Sequence, residues 1–223
     1  MDKFNNQDIA QTTAEHLLRL EAVKLSPNAP FTWASGWKSP IYCDNRVTLS
    51  DPVARTYIRF ALAETIRKYF PEVTSISGVA TGAIAQGVLV ADTLGLPFSY
   101  IRSKAKDHGM ENLIEGRIAP TDKVVVVEDL ISTGGSSLKA VDALRKYGCE
   151  VLGMVAIYTH GISVAEKAFS EAKVDLHTLT NYSEVVERAA KNGYVTPADL
   201  DILGEWRKDP ANWGKFNVDH PSK

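Results

Sequence analysis

The stretch KVVVVEDLISTGGSS, Lys123 to Ser137, decides how this chain is read. Val124–Val127 are β-branched and show no polar alternation, the pattern of a strand buried on both faces in a parallel sheet. Glu128 and Asp129 then end the predicted strand, and Ser132-Thr133-Gly134-Gly135 leads into a helix predicted over Ser136–Tyr147. The free N–H groups and dipole of a helix start favour an anion, and glycines let the backbone come close to it. Hydroxyls of Ser132, Thr133, Ser136 and Ser137 can add hydrogen bonds. No Gly-Lys-Ser/Thr follows at Walker spacing, and no Gly-x-Gly-x-x-Gly fingerprint is present, so neither a P-loop nor a dehydrogenase is indicated.

The carboxylates narrow the chemistry. Charge at the end of a buried strand is costly without a partner. A ribose would supply one, donating its 2′ and 3′ hydroxyls to the acids while its 5′-phosphate enters the turn. Negative charge beneath the sugar would also favour a cation developing at C1′ as a leaving group departs. The alternative is an ordinary strand end whose acidic pair caps the next helix.

Outward from this stretch the chain alternates. VTSISGVA reads as a strand into a Gly turn, Ala83–Thr93 as a helix, PFSYIR as a strand, and SKAKDHGMENLIEGRIAP as a long polar loop. EVLGMVAIY and VDLHTLT are further strands, with a helix over Val164–Ala172 between them. Strand–helix alternation implies an α/β fold with a mainly parallel central sheet flanked by helices, whose ligands gather at the carboxyl ends of the strands. Upstream, Ser50-Asp51-Pro52 is a capped helix start. That helix is predicted to run to about Phe70, with Ala54, Ile58, Leu62, Ile66 and Tyr69 inward. Asp8–Val23 reads as an amphipathic helix with Ile9, Leu17 and Leu20 on one face, and Leu25–Arg46 as loops with one short strand near Ile41–Cys43. The organisation expected is a single domain: an N-terminal elaboration over 1–50, an α/β core over 51–180 and a helical tail over 181–223.

Bulk composition sets the outer limits. The 223 residues are 44% hydrophobic, enough for one sizeable core, and the net charge of −2 argues against a general nucleic-acid-binding surface. Cys43 and Cys149 have no metal-ligand spacing and read as lone thiols. No signal-peptide pattern opens the sequence and no apolar run reaches the ~20 residues of a membrane span. A soluble cytoplasmic protein is expected, with no nucleic acid or membrane as partner.

VVVVEDLISTGGS resembles the phosphoribosyl pyrophosphate signature of the type I phosphoribosyltransferases. Two more segments resemble one branch, the orotate phosphoribosyltransferases. YIRSKAKDHGMENLIEG (Tyr100–Gly116) is similar to their basic catalytic loop, and FTWASGWKSPIYCDNR (Phe31–Arg46) to their N-terminal hood, which covers the base. The resemblance implies the type I fold with a small hood, and transfer of 5-phosphoribose to N1 of orotate with Mg²⁺ held mainly by substrate and water. It implies a homodimer in which loop 102–117 completes the partner's site. On it, Glu128 and Asp129 hold ribose. Leu130 and Ile131 contact phosphoribosyl pyrophosphate, Ser132, Thr133, Gly134, Gly135 and Ser136 hold its 5′-phosphate, and Thr81 (in the turn Ala80–Gly82) is at the pyrophosphate. Arg102, Lys106 and His108 neutralise the diphosphate, and Lys106, His108 and Asp129 are the expected catalytic residues. Ser132, Lys38 and Tyr42 are the expected orotate contacts. Some members of the family carry Lys where Ala34 and Gly82 stand here, and an orotate-binding Arg after the strand that here reads AIYTHGIS. A purine phosphoribosyltransferase and a non-catalytic regulator on the same fold are the rival readings.

Overall fold

The structure, a computed structural model, describes residues 6–33, 35–104 and 113–214. Helix α1 (Asn6–Arg19) leads to a small N-terminal layer. In it, strand β1 (Val23–Leu25) pairs antiparallel with β4 (Ile41–Cys43), and β2 (Phe31–Thr32) with β3 (Lys38–Ser39). The helix expected to reach Val23 stops at Arg19. Glu21 turns the chain at a φ of +54°, and Val23 joins β1 because a partner strand is available opposite it. Its buried face accordingly contains Leu18 rather than Leu20.

After a 3₁₀ segment (Asn45–Ser50), α2 (Pro52–Tyr69) opens on Asp51, whose carboxylate accepts from the Ala54 N–H, with Pro52 in the first turn. Then come β5 (Ser75–Val79), α3 (Ile84–Leu94), β6 (Phe98–Ile101), β7 (Ile114–Glu115), β8 (Lys123–Ile131) and α4 (Gly135–Tyr147). They are followed by β9 (Glu150–Thr159), α5 (Ser163–Glu171), β10 (Leu176–Asn181), α6 (Tyr182–Lys191) and α7 (Pro197–Lys208). The sheet order is β10-β9-β8-β5-β6-β7, parallel except for the edge strand β7. That short strand falls inside the segment expected to be loop; pairing with β6 creates it.

The valines of β8 show why the sheet sits where it does. All of Val124–Val127 are fully buried, but they alternate between two cores. Val125 and Val127 pack with α1, α2, Ile41 of β4, α6 and Trp206 of α7; Val124 and Val126 pack with Val141 and Leu144 of α4 and Phe169 of α5. The N-terminal layer and the C-terminal helices thus share one core, and β10 runs across the expected boundary at 180.

The strand order reverses between β5 and β8. From β5 the chain moves through α3 to β6 on one side, and from β8 through α4 to β9 on the other. That switch point opens a crevice at the carboxyl ends of both strands.

Candidate active site

Strand β8 runs three residues beyond Glu128, so the acidic pair lies inside the strand rather than at its end; Glu128 pairs with Ala156 and Leu130 with Tyr158 on β9. The register fixes the acids beneath the crevice. Glu128 is 4% exposed, its Oε1 accepting from the Asp129 N–H at 3.0 Å and its Oε2 from Ser137 Oγ at 2.8 Å. Burial first, then the adjacent Asp129 charge, pushes the Glu128 carboxyl well above the usual carboxylate range. Ser137, expected to face a phosphate, is instead buried and spends its hydroxyl on Glu128.

Asp129 is held from two sides. Its carbonyl accepts from Asn45 Nδ2, so the segment after β4 is tied to β8. Its carboxylate lies against Gly82, where an added Cβ would collide with it. Gly82 belongs to the turn after β5, in which the Ala80–Thr81 peptide is cis. A larger residue at position 82 would displace the acid, a physical reason for glycine here.

The turn into α4 is a bare helix start. Gly134 takes a left-handed conformation (φ +82°) and no side chain caps the helix, so its first N–H groups remain available to an anion. Phe169 of α5 packs against Gly134 so closely that a Cβ would meet its ring at 2.9 Å.

These pieces converge. One cavity of about 370 Å³ is lined by Val79, Ala80, Thr81 and Gly82, by Glu128, Asp129 and Leu130, by Ser132, Thr133, Gly134 and Ser136, and by Cys43, Asp44 and Arg46. Arg46 grips Asp44 through paired contacts of 2.7 and 2.9 Å and brings positive charge to the rim. A second cavity of about 150 Å³ shares Cys43, Leu130 and Ser132 with the first and continues to Trp33, Tyr42 and His160. Burial, with help from the charge of Asp129, pushes the Cys43 thiol well up, so it stays protonated between the two.

Most of the expected site residues meet here, with several departures. Ile131 is fully buried and outside the lining of both cavities; its carbonyl accepts from the His160 N–H at 3.0 Å. Gly135 begins α4 and stays outside the lining. Lys38 is not in the lining of the recess that Tyr42 enters: its Nζ donates to Thr32 Oγ1 at 2.8 Å, and its stem lies by Gly214 in a different hollow, near Trp213. Arg102 lies in an adjoining hollow that shares Val79, Ala80 and Ser136, paired with Glu115 at 3.3 Å. Lys106 and His108 lie outside the described residues, as does Ala34. Sequence reasoning missed Asn45, Arg46 and His160 as site residues. His160 follows a strand's carboxyl end, and that position alone could have marked it.

The chain belongs to the phosphoribosyl transferase family: the family model of the phosphoribosyl transferase domain matches residues 51–190. Relatives of the whole chain narrow the likeness further. The orotate phosphoribosyltransferase of Porphyromonas gingivalis is 59% identical over 206 residues, 92% of this chain and 98% of that protein. The orotate phosphoribosyltransferase of Bacteroides fragilis is 60% identical over 207 residues, 93% of this chain and 98% of that protein. Among solved structures, orotate phosphoribosyltransferase from Aeropyrum pernix superposes with a TM-score of 0.72 at 27% identity, covering 82% of this chain and 99% of that one.

Proposed function

We propose that this chain is an orotate phosphoribosyltransferase, joining orotate to phosphoribosyl pyrophosphate to give orotidine 5′-monophosphate and pyrophosphate in pyrimidine biosynthesis. One observation carries the reading. An acidic pair, an uncapped helix start and an aromatic-lined recess occupy a single connected crevice at the switch point.

In this reading the 5′-phosphate accepts from the first N–H groups of α4 and from Thr133 and Ser136. The ribose diol donates to Asp129, while Glu128, engaged by Ser137 and the Asp129 amide, fixes where that carboxylate stands. As the bond from C1′ to the diphosphate oxygen breaks, its electron pair leaves with pyrophosphate. Orotate N1 closes the new bond to C1′ and gives up its proton to the departing pyrophosphate, and the carboxylate charge below the ring stabilises the oxocarbenium-like transition state. The turn at Ala80–Gly82 faces the leaving group, and Arg102, Lys106 and His108 neutralise it. Tyr42 offers a ring face to the base.

No cluster of three His, Cys, Asp or Glu side chains that could hold a metal occurs among the described residues. The donor set fits a Mg²⁺ carried by the diphosphate and ribose oxygens, with Asp129 as the protein carboxylate at hand; bound there, the ion would offset diphosphate charge. A homodimer with shared sites belongs to the same proposal. Val53 and Phe60 on α2 and Val88 on α3 are exposed apolar side chains on two helices packed together, which supports an association surface. Among the described residues no helix is long and apolar enough to cross a membrane.

Incubating the protein with phosphoribosyl pyrophosphate, Mg²⁺ and, separately, orotate, uracil, adenine and hypoxanthine tests the assignment. Orotidine 5′-monophosphate is expected from orotate, with little product from the others. Turnover of a purine in place of orotate would overturn it.

A further inference from the structure

In the recess beside the phosphate cavity, Ser132, His160 and the partly exposed Tyr42 hydroxyl can make a hydrogen bond that reads one particular base, and of these His160 is the one held rigidly in the core. Trp33, whose Nε1–H donates to the Ile41 carbonyl at 3.0 Å, and Leu130 supply apolar surface, as does the ring of Tyr42, and the Cys43 thiol is directed to Asn45 Oδ1 at 3.3 Å. Lys38, the cation expected to meet an acidic base, lies in a different hollow.

His160 is 1% exposed and held on several sides. Its ring stacks on Trp33 with centroids 4.9 Å apart, and Trp206 meets it edge-on at 5.8 Å. Its Nδ1 lies 3.1 Å from the hydroxyl of Tyr158. Tyr158 is itself fully buried, and among the described residues its hydroxyl has no other partner. If Nδ1 carried a proton, the phenol proton would be left buried and unpaired, at a cost of roughly 1–3 kcal/mol. The arrangement that satisfies both groups has Tyr158 donating to Nδ1, which places the imidazole proton on Nε2. Nε2 has no hydrogen-bond partner among the described residues.

The surroundings suit an anion without adding a second charge at the contact itself. Burial, and secondarily the charge of Arg207, lower the His160 pKa to about 3, so the ring stays neutral across the physiological range. Arg207, on α7, stands behind it. A Cβ on Gly161 would fall 2.9 Å from an Arg207 guanidinium nitrogen, and the guanidinium also lies 5.8 Å from the Tyr182 ring centroid. The floor of the recess is therefore an uncharged donor with a positive charge in its second layer.

We propose that His160 is a base-binding residue: its Nε2–H donates to the carboxylate of the pyrimidine, with the tautomer set by Tyr158 and the ring clamped by Trp33 and Trp206. This rests on the transferase reading above. Because the base panel on the wild-type enzyme tests that reading by itself, the two can fail separately.

The variants His160→Phe and His160→Gln distinguish recognition from packing. Phe keeps a flat ring for the stack and has no donor; Gln gives up the ring and can place an amide N–H near the Nε2 position. If Nε2 reads the carboxylate, His160→Phe should raise the KM for orotate about 10- to 100-fold, the usual loss for a hydrogen bond to a charged group. The KM for phosphoribosyl pyrophosphate should stay within about threefold, and His160→Gln should recover part of the orotate affinity. Tyr158→Phe, which frees the tautomer, should give an intermediate loss confined to orotate. A packing role predicts the opposite order, with Phe near wild type and Gln impaired towards both substrates; that order would overturn the proposal. So would an orotate-to-uracil preference that His160→Phe leaves unchanged.

Discussion

Glu128 shows how much a single carboxyl can be asked to do. It lies in the hydrogen-bonded register of β8 and gives one oxygen to the Asp129 N–H and the other to the Ser137 hydroxyl. Its cost is burial next to another acid, and the consequence is a dependence on pH with a definite sign. A carboxyl whose folded pKa is raised stabilises the fold below its unfolded pKa, and that contribution is lost as pH rises through the folded value. The neutral isostere escapes the penalty. Glu128→Gln is therefore expected to gain melting temperature relative to wild type as pH is raised from 5 to 8, without ligand. At the same time kcat/KM for phosphoribosyl pyrophosphate should fall at least about tenfold, because an amide nitrogen cannot accept from Ser137 as Oε2 does and the hold on Asp129 loosens. A difference in melting temperature that is flat across pH would show that Glu128 carries no buried charge.

At the scale of elements, the site is a meeting of two strand ends. The turn after β5 has no side chain at Gly82 because the Asp129 carboxylate from β8 occupies that volume. Gly82→Ala has a predictable split of effects. The obstructed atoms are the far end of a side chain that can rotate away, so stability should change by less than about 1 kcal/mol. The acid, however, would leave the place that the proposed reaction gives it under the ribose, and kcat should drop about tenfold or more. Thermal melting alongside steady-state kinetics checks this; unchanged kcat would mean that the position of Asp129 is not critical.

The whole molecule is held by two cores on opposite faces of the sheet, and one of them joins both ends of the described chain. Trp206 of α7 is fully buried between Trp33 of the N-terminal layer, His160 at the end of β9 and Tyr182 of α6, with centroid distances of 5.8, 5.8 and 5.3 Å. Trp206→Ala should cost about 3–5 kcal/mol and raise the KM for orotate more than that for phosphoribosyl pyrophosphate, since the cavity opens behind the base recess. The Trp206 indole nitrogen has no hydrogen-bond partner among the described residues. Trp206→Phe thus gives up volume but no bond, and should cost less than half as much. Urea unfolding of both variants measures the ratio; equal losses would place the role of Trp206 in its N–H group.

The Val124–Gly135 stretch determined much by itself. An unbroken β-branched run needs cover on both faces, and two glycines after hydroxyl residues let the backbone turn tightly into a helix whatever surrounds them, because these are local properties of the backbone. The sheet class, the uncapped helix start after the glycine turn and the closeness of the acidic pair to it were legible for that reason. The sequence left open what each side chain finally faces. Ser137 turning to Glu128, the Lys38 stem packing by Gly214, Gly82 yielding its space to Asp129 and His160 lining the recess with Trp33 all depend on more than local sequence. Only the packed fold brings Asn45 to β8 and Trp206 to Trp33. Local propensity carries no information about such distant neighbours, and shared burial decides them.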